Sequence, residues 1–380
     1  MSSLRISTPG RIDWLIMLIT AALLLFSVPF VYSASASFAD IRLGSSEKLV
    51  WKHAIRVIIA VAIVVVFARI DYHVWKKWSK YLLYGGFASL VLVFFVGSRM
   101  KGASRWIHFG PINFQPSELA KFALVIYVAA WIADNHHRLD DLKKGLLPIL
   151  GIIGMICGLI ALQPNFSTAS VIAIIMGIML FAGNVRLKHL LAIGGITLIA
   201  GSLYAVSASY RMKRILAFLG SSDAGPEGET VNYQLQQALL ALGNGGLLGV
   251  GVGQSHQRDM FLPESYGDFI SSIIGEEYGF VGITMVLLCF TLILYRGLRI
   301  ARTAPDLFGR MLALGITITM CIYAFVNAGV NCGLLPTTGL PMPFLSYGGS
   351  AVLFSAAAMG ILLNISARSG MFPHQQKKNK

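Results

Sequence analysis

Ten apolar stretches, at about 13–33, 50–70, 81–98, 119–134, 145–163, 166–183, 189–208, 270–295, 308–331 and 346–366, constrain this chain more than any other feature. A run of about 20 apolar residues crosses a hydrocarbon core roughly 30 Å thick, and does so as a helix because lipid offers its backbone no hydrogen-bond partners. The sequence therefore predicts an all-α polytopic membrane protein, a single integral domain over residues 1–380. Composition agrees: 56% of residues are apolar and 13% charged, against about a quarter charged in soluble chains. The first stretch runs into YSASAS, which has the small residues of a signal cleavage site. A signal's apolar core spans only about 7–15 residues, so this stretch reads as a retained span. Cys157, Cys289, Cys321 and Cys332 are scattered, with neither disulfide nor metal spacing.

A net charge of +14 suggests nucleic acid only until the basic residues are placed. Basic clusters mark cytoplasmic loops. With the N-terminus inside, Lys76, Lys77, Lys80, Lys143, Lys144, Arg296, Arg299 and Arg302 all fall on inside loops, as does a basic tail at 367–380. Both termini are thus expected in the cytoplasm, and no nucleic-acid partner is expected. The long outer loop is residues 209–269, and a loop of that length is usually functional. Within it SYRMKRILAFL is a basic amphipathic segment suited to a membrane surface, with Arg211, Lys213 and Arg214. VNYQLQQALLALG reads as a short helix ended by Gly243, and no strand pattern is found.

Four motifs gather on the same outer face. GNGGLLGVGVG, residues 243–253, is glycine-rich, but Leu248 breaks a dinucleotide fingerprint and no GK pair makes a P-loop. Packed or flexible backbone is the better reading, with amides still able to help hold a pyrophosphate. GASRWIHFGPINFQPSELAK, residues 102–121, places Arg105 before Trp106 and begins a helix near Ser117, read as its cap. Glu118 and Lys121 share one helix face; an ion pair alone would account for them, as would a polar site. GLLPTTGLPMPFLSYGGS, residues 333–350, is uncharged and too rich in proline and glycine for a helix. It reads as a re-entrant segment shaping a groove through Pro341, Pro343, Ser346, Gly348 and Gly349, since irregular backbone at depth lines a cavity or is buried. Finally, only 17 of 380 residues are acidic, yet Asp259, Glu264, Asp268, Glu276 and Glu277 crowd together. Asp268 reads either as an N-cap for the following helix or as a chemical group; Glu276 and Glu277, deeper, call for polar partners.

GASRWI at 102–107, QPSELAK at 115–121, YQLQQALLALGNGG at 233–246, LPE at 262–264, DFI at 268–270, GEEYG at 275–279 and LPTTGLPMPFLSYGGS at 335–350 together closely resemble the SEDS family, the RodA and FtsW peptidoglycan polymerases. The resemblance runs from the first span to about Ser366. It implies a ten-helix fold with a long extracytoplasmic loop between helices 7 and 8. It also implies glycosyl transfer from lipid II at the outer face of the bacterial inner membrane, with Asp268 the catalytic aspartate, Glu118 and Lys121 the family's charged pair, and Arg105 its basic position before Trp106. A class B penicillin-binding transpeptidase is the implied partner, among divisome or elongasome proteins. Two departures matter: PNFST, with Asn165 and Ser167, replaces the family's PDFGT, and YGDFI replaces HTDFI, so no histidine stands at position 266. GVGVGQSHQRDMFLPE is more similar to the division branch than to the elongation branch, which implies a place at the septum.

Joining β1,4-linked sugars from an axial pyrophosphate requires one inverting displacement, hence a base for the acceptor hydroxyl and positive charge for the leaving pyrophosphate. Asp268 is the expected base. Lys121, Arg105, Arg211, Lys213 and Arg214, with Glu118 and Glu264, are the expected binding set for lipid II and the growing undecaprenyl-pyrophosphate chain. A divalent cation, Mg or Mn, is compatible with this chemistry, and no ligand set for it is legible. A lipid II flippase is the competing class, but the acids gather on one face and no paired broken spans are seen.

Overall fold

The structure, a computed structural model, describes residues 10–100, 103–109, 112–139, 141–206, 212, 216, 218 and 225–369. Among these residues the elements are α1 (Trp14–Leu43), α2 (Lys48–Arg69), α3 (Tyr72–Val96), β1 (Ser98–Met100), β2 (Ala103–Phe109), β3 (Ile112–Phe114), α4 (Pro116–Asn135), α5 (Leu147–Leu162), α6 (Phe166–Ala182), α7 (Leu187–Val206), α8 (Gly225–Gly245), α9 (Ile270–Thr303), α10 (Leu307–Asn331) and α11 (Ser350–Arg368). Among the described residues nine helices are long and apolar enough to span a membrane, and α6 is a shorter apolar helix. Each corresponds to one expected span. The three strands were not expected: β1, β2 and β3 form a small antiparallel sheet between α3 and α4, with Ile107 opposite Phe114. They are too short for an alternating pattern to stand out from the surrounding glycines and prolines.

Burial sorts the spans into two layers. In α4, α10 and α11 more than 70% of the apolar window is buried, whereas in α1, α2, α3 and α9 it is under 40%. The first three are therefore the interior of the bundle, and the others turn an apolar face outward. In lipid no hydrophobic drive holds helices together, so close packing at small residues does much of the work. A Cβ on Gly297 of α9 would lie 2.1 Å from Thr317 Oγ1 of α10, and one on Gly360 of α11 would lie 2.8 Å from the Val64 carbonyl oxygen of α2. Thr317 is fully buried and donates to the Ala313 carbonyl at 2.7 Å, so it has little room to yield. Gly297→Val is accordingly expected to destabilise the bundle by roughly 1–3 kcal/mol or more, read as a lowered thermal midpoint in detergent.

Charged groups fasten the end of the bundle that holds the start of α1. Fully buried Asp13 caps α1 through the amides of Leu15 and Ile16 and pairs with Arg296 of α9 at 2.9 Å. Asp71, the cap of α3, pairs with Arg368 of α11 at 2.6 Å. The opposite end carries the sheet and the connections 246–269 and 333–349, and there the sequence motifs converge.

α9 is interrupted at Gly279 (φ 69°, ψ −166°), where two helical pieces meet at a kink. The carbonyls of Glu276 and Glu277 there accept from the amides of Val250 and Gly251 at 2.9 and 3.1 Å, and the carbonyls of Gly246 and Leu247 accept from Phe280 and Val281 at 2.9 and 3.2 Å. The glycine run is thus laced into the broken helix. A Cβ on Gly249 would fall 2.1 Å from the Glu277 carbonyl oxygen, which is why glycine is required. The amides of Val250 and Gly251 are consumed in this lacing, and that of Gly249 donates to the Gly245 carbonyl at 2.7 Å, so these three do not serve as a pyrophosphate cradle.

Candidate active site at the loop-rich end

Pro116 occupies the first turn of α4, where its missing amide hydrogen is harmless, and the N-cap is Gln115. Ser117, expected as the cap, instead lies one residue inside the helix, buried and without a hydrogen-bond partner among the described residues. One turn on, Lys121 Nζ donates to Glu118 Oε2 at 2.7 Å, and both side chains are buried. The ammonium also sits 3.9 Å above the ring centroid of Tyr323 in α10. A buried charge pair survives because opposite charge and further contacts offset desolvation, and here the ring face supplies one such contact.

Glu118 and Lys121 line a pocket with Tyr323, Pro341, Pro343 and Ser346, and Gly348 completes the same wall. Four of the five expected groove residues therefore face the charged pair. Gly349 does not line this pocket; it packs against β3, where a Cβ would approach the Asn113 carbonyl oxygen to 2.5 Å. Leu340, Met342, Phe344 and Leu345 are buried, as expected of irregular backbone held inside protein.

Asp268 lies outside this pocket and is joined to it through α10. Asn327 Nδ2 donates to the carbonyls of both Asp268 and Leu340 at 2.8 Å, and Asn331 Nδ2 donates to the Asp268 carbonyl at 3.2 Å. Their side-chain oxygens accept from Ser271 and Ser272 of α9 at 2.8 and 2.6 Å. On the other side Ser346 Oγ donates to the Gly267 carbonyl at 2.7 Å, and the Tyr347 amide to the Tyr266 carbonyl at 2.8 Å. The half-buried Asp268 is thus pinned by its backbone from both flanks, and its carboxylate faces Gly339. It does not cap α9: that position is Phe269. Tyr266, where the family resemblance led one to look for histidine, packs between Phe38 and Tyr347. Burial first, and the Glu264 charge second, push its phenol well above the usual range, so it stays protonated.

One face of α10 carries Thr319, Tyr323, Asn327 and Asn331 at spacing four. Sequence reading missed this row. Its signal was available: polar residues repeating every helical turn in an apolar span mark a face turned away from lipid. From Tyr323, against Lys121, to Asn327, against Asp268, is one turn, about 6 Å of rise.

The remaining expectations fare differently. Arg105 Nε donates to the Gln163 carbonyl at 3.1 Å and a terminal nitrogen to the Pro164 carbonyl, so its guanidinium grips the α5–α6 turn. Glu264 has φ +60° and accepts the Gly267 amide on its carbonyl at 2.9 Å, shaping the turn before Asp268. Arg211, Lys213 and Arg214 lie outside the described residues. Glu276 accepts from Ser255 Oγ and from the Gln257 amide, and Glu277 accepts from Ser33 Oγ beside Arg258. These two acids are structural staples between α9, the glycine run and α1.

A bundle of membrane-spanning helices with a buried Lys–Glu pair, a re-entrant wall and a pinned aspartate at one end defines a multi-pass membrane protein with a polar site recessed beneath its loops. Residues 13–370 match the profile of the FtsW, RodA and SpoVE family, described as cell cycle protein. The chain belongs to that family. It is 39% identical over 359 residues to a probable peptidoglycan glycosyltransferase FtsW of a Geobacter species, covering 94% of this chain and 97% of that one. It is 38% identical over 359 residues to stage V sporulation protein E of Bacillus subtilis, with 94% and 97% covered. Among solved structures it is similar to a chain from a study of how a peptidoglycan synthase complex coordinates polymerization and crosslinking (TM-score 0.75, 25% identity, 93% and 97% covered) and to the rod shape determining protein RodA of Thermus thermophilus (TM-score 0.65, 25% identity, 94% and 97% covered).

Proposed function

We propose that this chain is a peptidoglycan glycosyltransferase of the division branch, polymerising lipid II into β1,4-linked glycan at the outer face of the inner membrane. The observation that carries the reading is the one-turn spacing on α10 between the residue touching Lys121 and the residue holding Asp268. Asp268 takes the proton from the acceptor 4-hydroxyl as that oxygen attacks C1 of the donor sugar. The C1–pyrophosphate bond breaks with inversion, and Lys121 stabilises the charge gathering on the leaving undecaprenyl pyrophosphate. Glu118 holds the ammonium in place. The 341–348 wall separates the polar pocket from the polyprenyl tail.

Among the described residues no group of three or more His, Cys, Asp or Glu side chains converges as a metal site. Mg or Mn binding that relies on substrate phosphates needs only one or two carboxylates, and Glu118 or Glu264 fits that role. The chemistry such a cation would supply when bound is additional positive charge at the leaving group. A class B penicillin-binding transpeptidase is the proposed partner, and the proposal has both termini in the cytoplasm and the septum as the site of action. Similarity to relatives named FtsW supports the division branch over a RodA-type elongation role.

The test is polymerisation of lipid II in detergent by the purified protein with its transpeptidase, with and without divalent metal. Glycan strands are expected where no bilayer exists to cross, which a lipid II flippase would not produce. Absence of product under all conditions would overturn the reading.

A further inference from the structure

Inside α2 lies an arginine, Arg56, whose charge is used neither by the fold of the described residues nor by the proposed reaction. Arg56 lies eight residues into this span, about 12 Å along the helix and five residues past Trp51, which is 64% exposed as an interfacial anchor would be. Among the described residues Arg56 makes no hydrogen bond and no ion pair. Its Nη1 is sealed from solvent with no acceptor, although the residue as a whole is only half-buried. An arginine within a span that lacks an acid is costly, and such groups face a partner or a polar path. Among the described residues it sits over the ring of Tyr347, 4.9 Å from the guanidinium carbon, and within electrostatic reach of His53.

A second unanswered group sits one turn away on the same face. His53 is fully buried, and its ring lies 5.9 Å from that of Tyr347. Ser27 gives its only hydroxyl hydrogen to the Leu24 carbonyl at 2.6 Å, so the 2.9 Å contact between Ser27 Oγ and His53 Nε2 makes Nε2 the donor. Nδ1 is left as an acceptor without a partner. Tyr347 belongs to the SYGG segment, whose neighbours Ser346 and Gly348 line the Lys121 pocket. Tyr347 points the other way, to α2, and its amide holds Tyr266 two residues before Asp268. The segment is therefore a partition with a cation on each side, Lys121 on one and Arg56 on the other.

We propose that Arg56 and His53 form a second anion site for the phosphate of a lipid. Because Arg56 is part of a membrane-spanning helix, the ligand reaches it as a membrane-borne group, and the free guanidinium donors match phosphate oxygens. His53 Nδ1 can accept the proton of a P–OH on a terminal phosphate, which a pyrophosphate monoester carries and a phosphodiester lacks. Resting on the proposed glycan synthesis, which joins two pyrophosphate-linked substrates, the site belongs to the second of them, with the SYGG partition keeping the two pyrophosphates apart.

The experiment is native mass spectrometry of the full-length protein titrated with undecaprenyl pyrophosphate, and in a parallel arm with phosphatidylglycerol. Two polyprenyl pyrophosphates are expected on the wild type and one on Arg56→Met, with the second binding step weakened about tenfold or more, the weight of a charge-assisted hydrogen bond. Arg56→Lys should retain most of it. Among the described residues Arg56 makes no hydrogen bond or ion pair, and a methionine can still pack on the Tyr347 ring it leaves, so Arg56→Met should stay near the wild-type thermal midpoint, whereas loss of a structural ion pair would lower it. Unchanged two-step binding by Arg56→Met would overturn the site. Equal or better binding of phosphatidylglycerol would reassign the site to a bilayer lipid and overturn its link to the second substrate. Binding is read without turnover, so a wild type that binds both ligands yet makes no glycan would count against the proposed function and leave this site standing.

Discussion

Asp268→Asn and Asp268→Ala are each expected to lower glycan synthesis by about 10²–10⁴-fold, the range that a positioned general base contributes, while leaving the protein folded. The structure separates the two effects. Among the described residues, residue 268 is held through its main-chain carbonyl, which accepts from Asn327 and Asn331, and through the flanking Gly267 and Tyr266 carbonyls, which accept from Ser346 and Tyr347. None of these bonds uses the carboxylate. Asn is nearly isosteric and cannot take a proton at neutral pH, so it isolates the chemistry from the shape. The measurement is lipid II polymerisation alongside thermal stability. Near-normal product from both variants, at unchanged stability, would remove Asp268 from the mechanism.

Lys121→Met carries the second large effect, and it strikes twice. Loss of the cation removes leaving-group stabilisation, expected to lower the rate about 10²–10³-fold. It also strands Glu118 as an unpaired carboxylate in a site where its side chain is 3% exposed, a change that costs about 3–5 kcal/mol. A companion variant tells the two apart. Glu118→Gln combined with Lys121→Met removes both charges, so stability should return most of the way while polymerisation stays lost. Should the double variant regain activity along with stability, Lys121 would be a packing residue only.

Much of this site was legible because its parts are chemically out of place. An acid and a lysine three residues apart at the start of an apolar helix, and an uncharged proline- and glycine-rich stretch between two spans, both violate what lipid tolerates. The structure places them against one pocket. Capping was misjudged twice. At α4 proline claimed the first turn and moved the cap to Gln115; at α9 the polar groups that fix the helix start come from Asn327 and Asn331 of another helix, which local sequence cannot reveal. The same asparagines went unnoticed as site residues because one amide per turn barely dents the hydropathy of α10. Arg105 was recognisable as unusual, yet its hydrogen bonds to the α5–α6 turn depend on how a three-stranded sheet folds over, and strands of three to seven residues leave little trace.

The break at Gly279 has a consequence for how the molecule opens. Residues 246–251 complete the hydrogen bonds that α9 forfeits at the kink, and α9 completes theirs. Separating them would expose unsatisfied peptide groups on both partners at once, each worth about 1–3 kcal/mol when buried. The two therefore share a single opening event and exchange their amide hydrogens as one cooperative unit. Composition marks the glycine run as the loosest stretch of the chain, yet its protection is tied to that of a transmembrane helix.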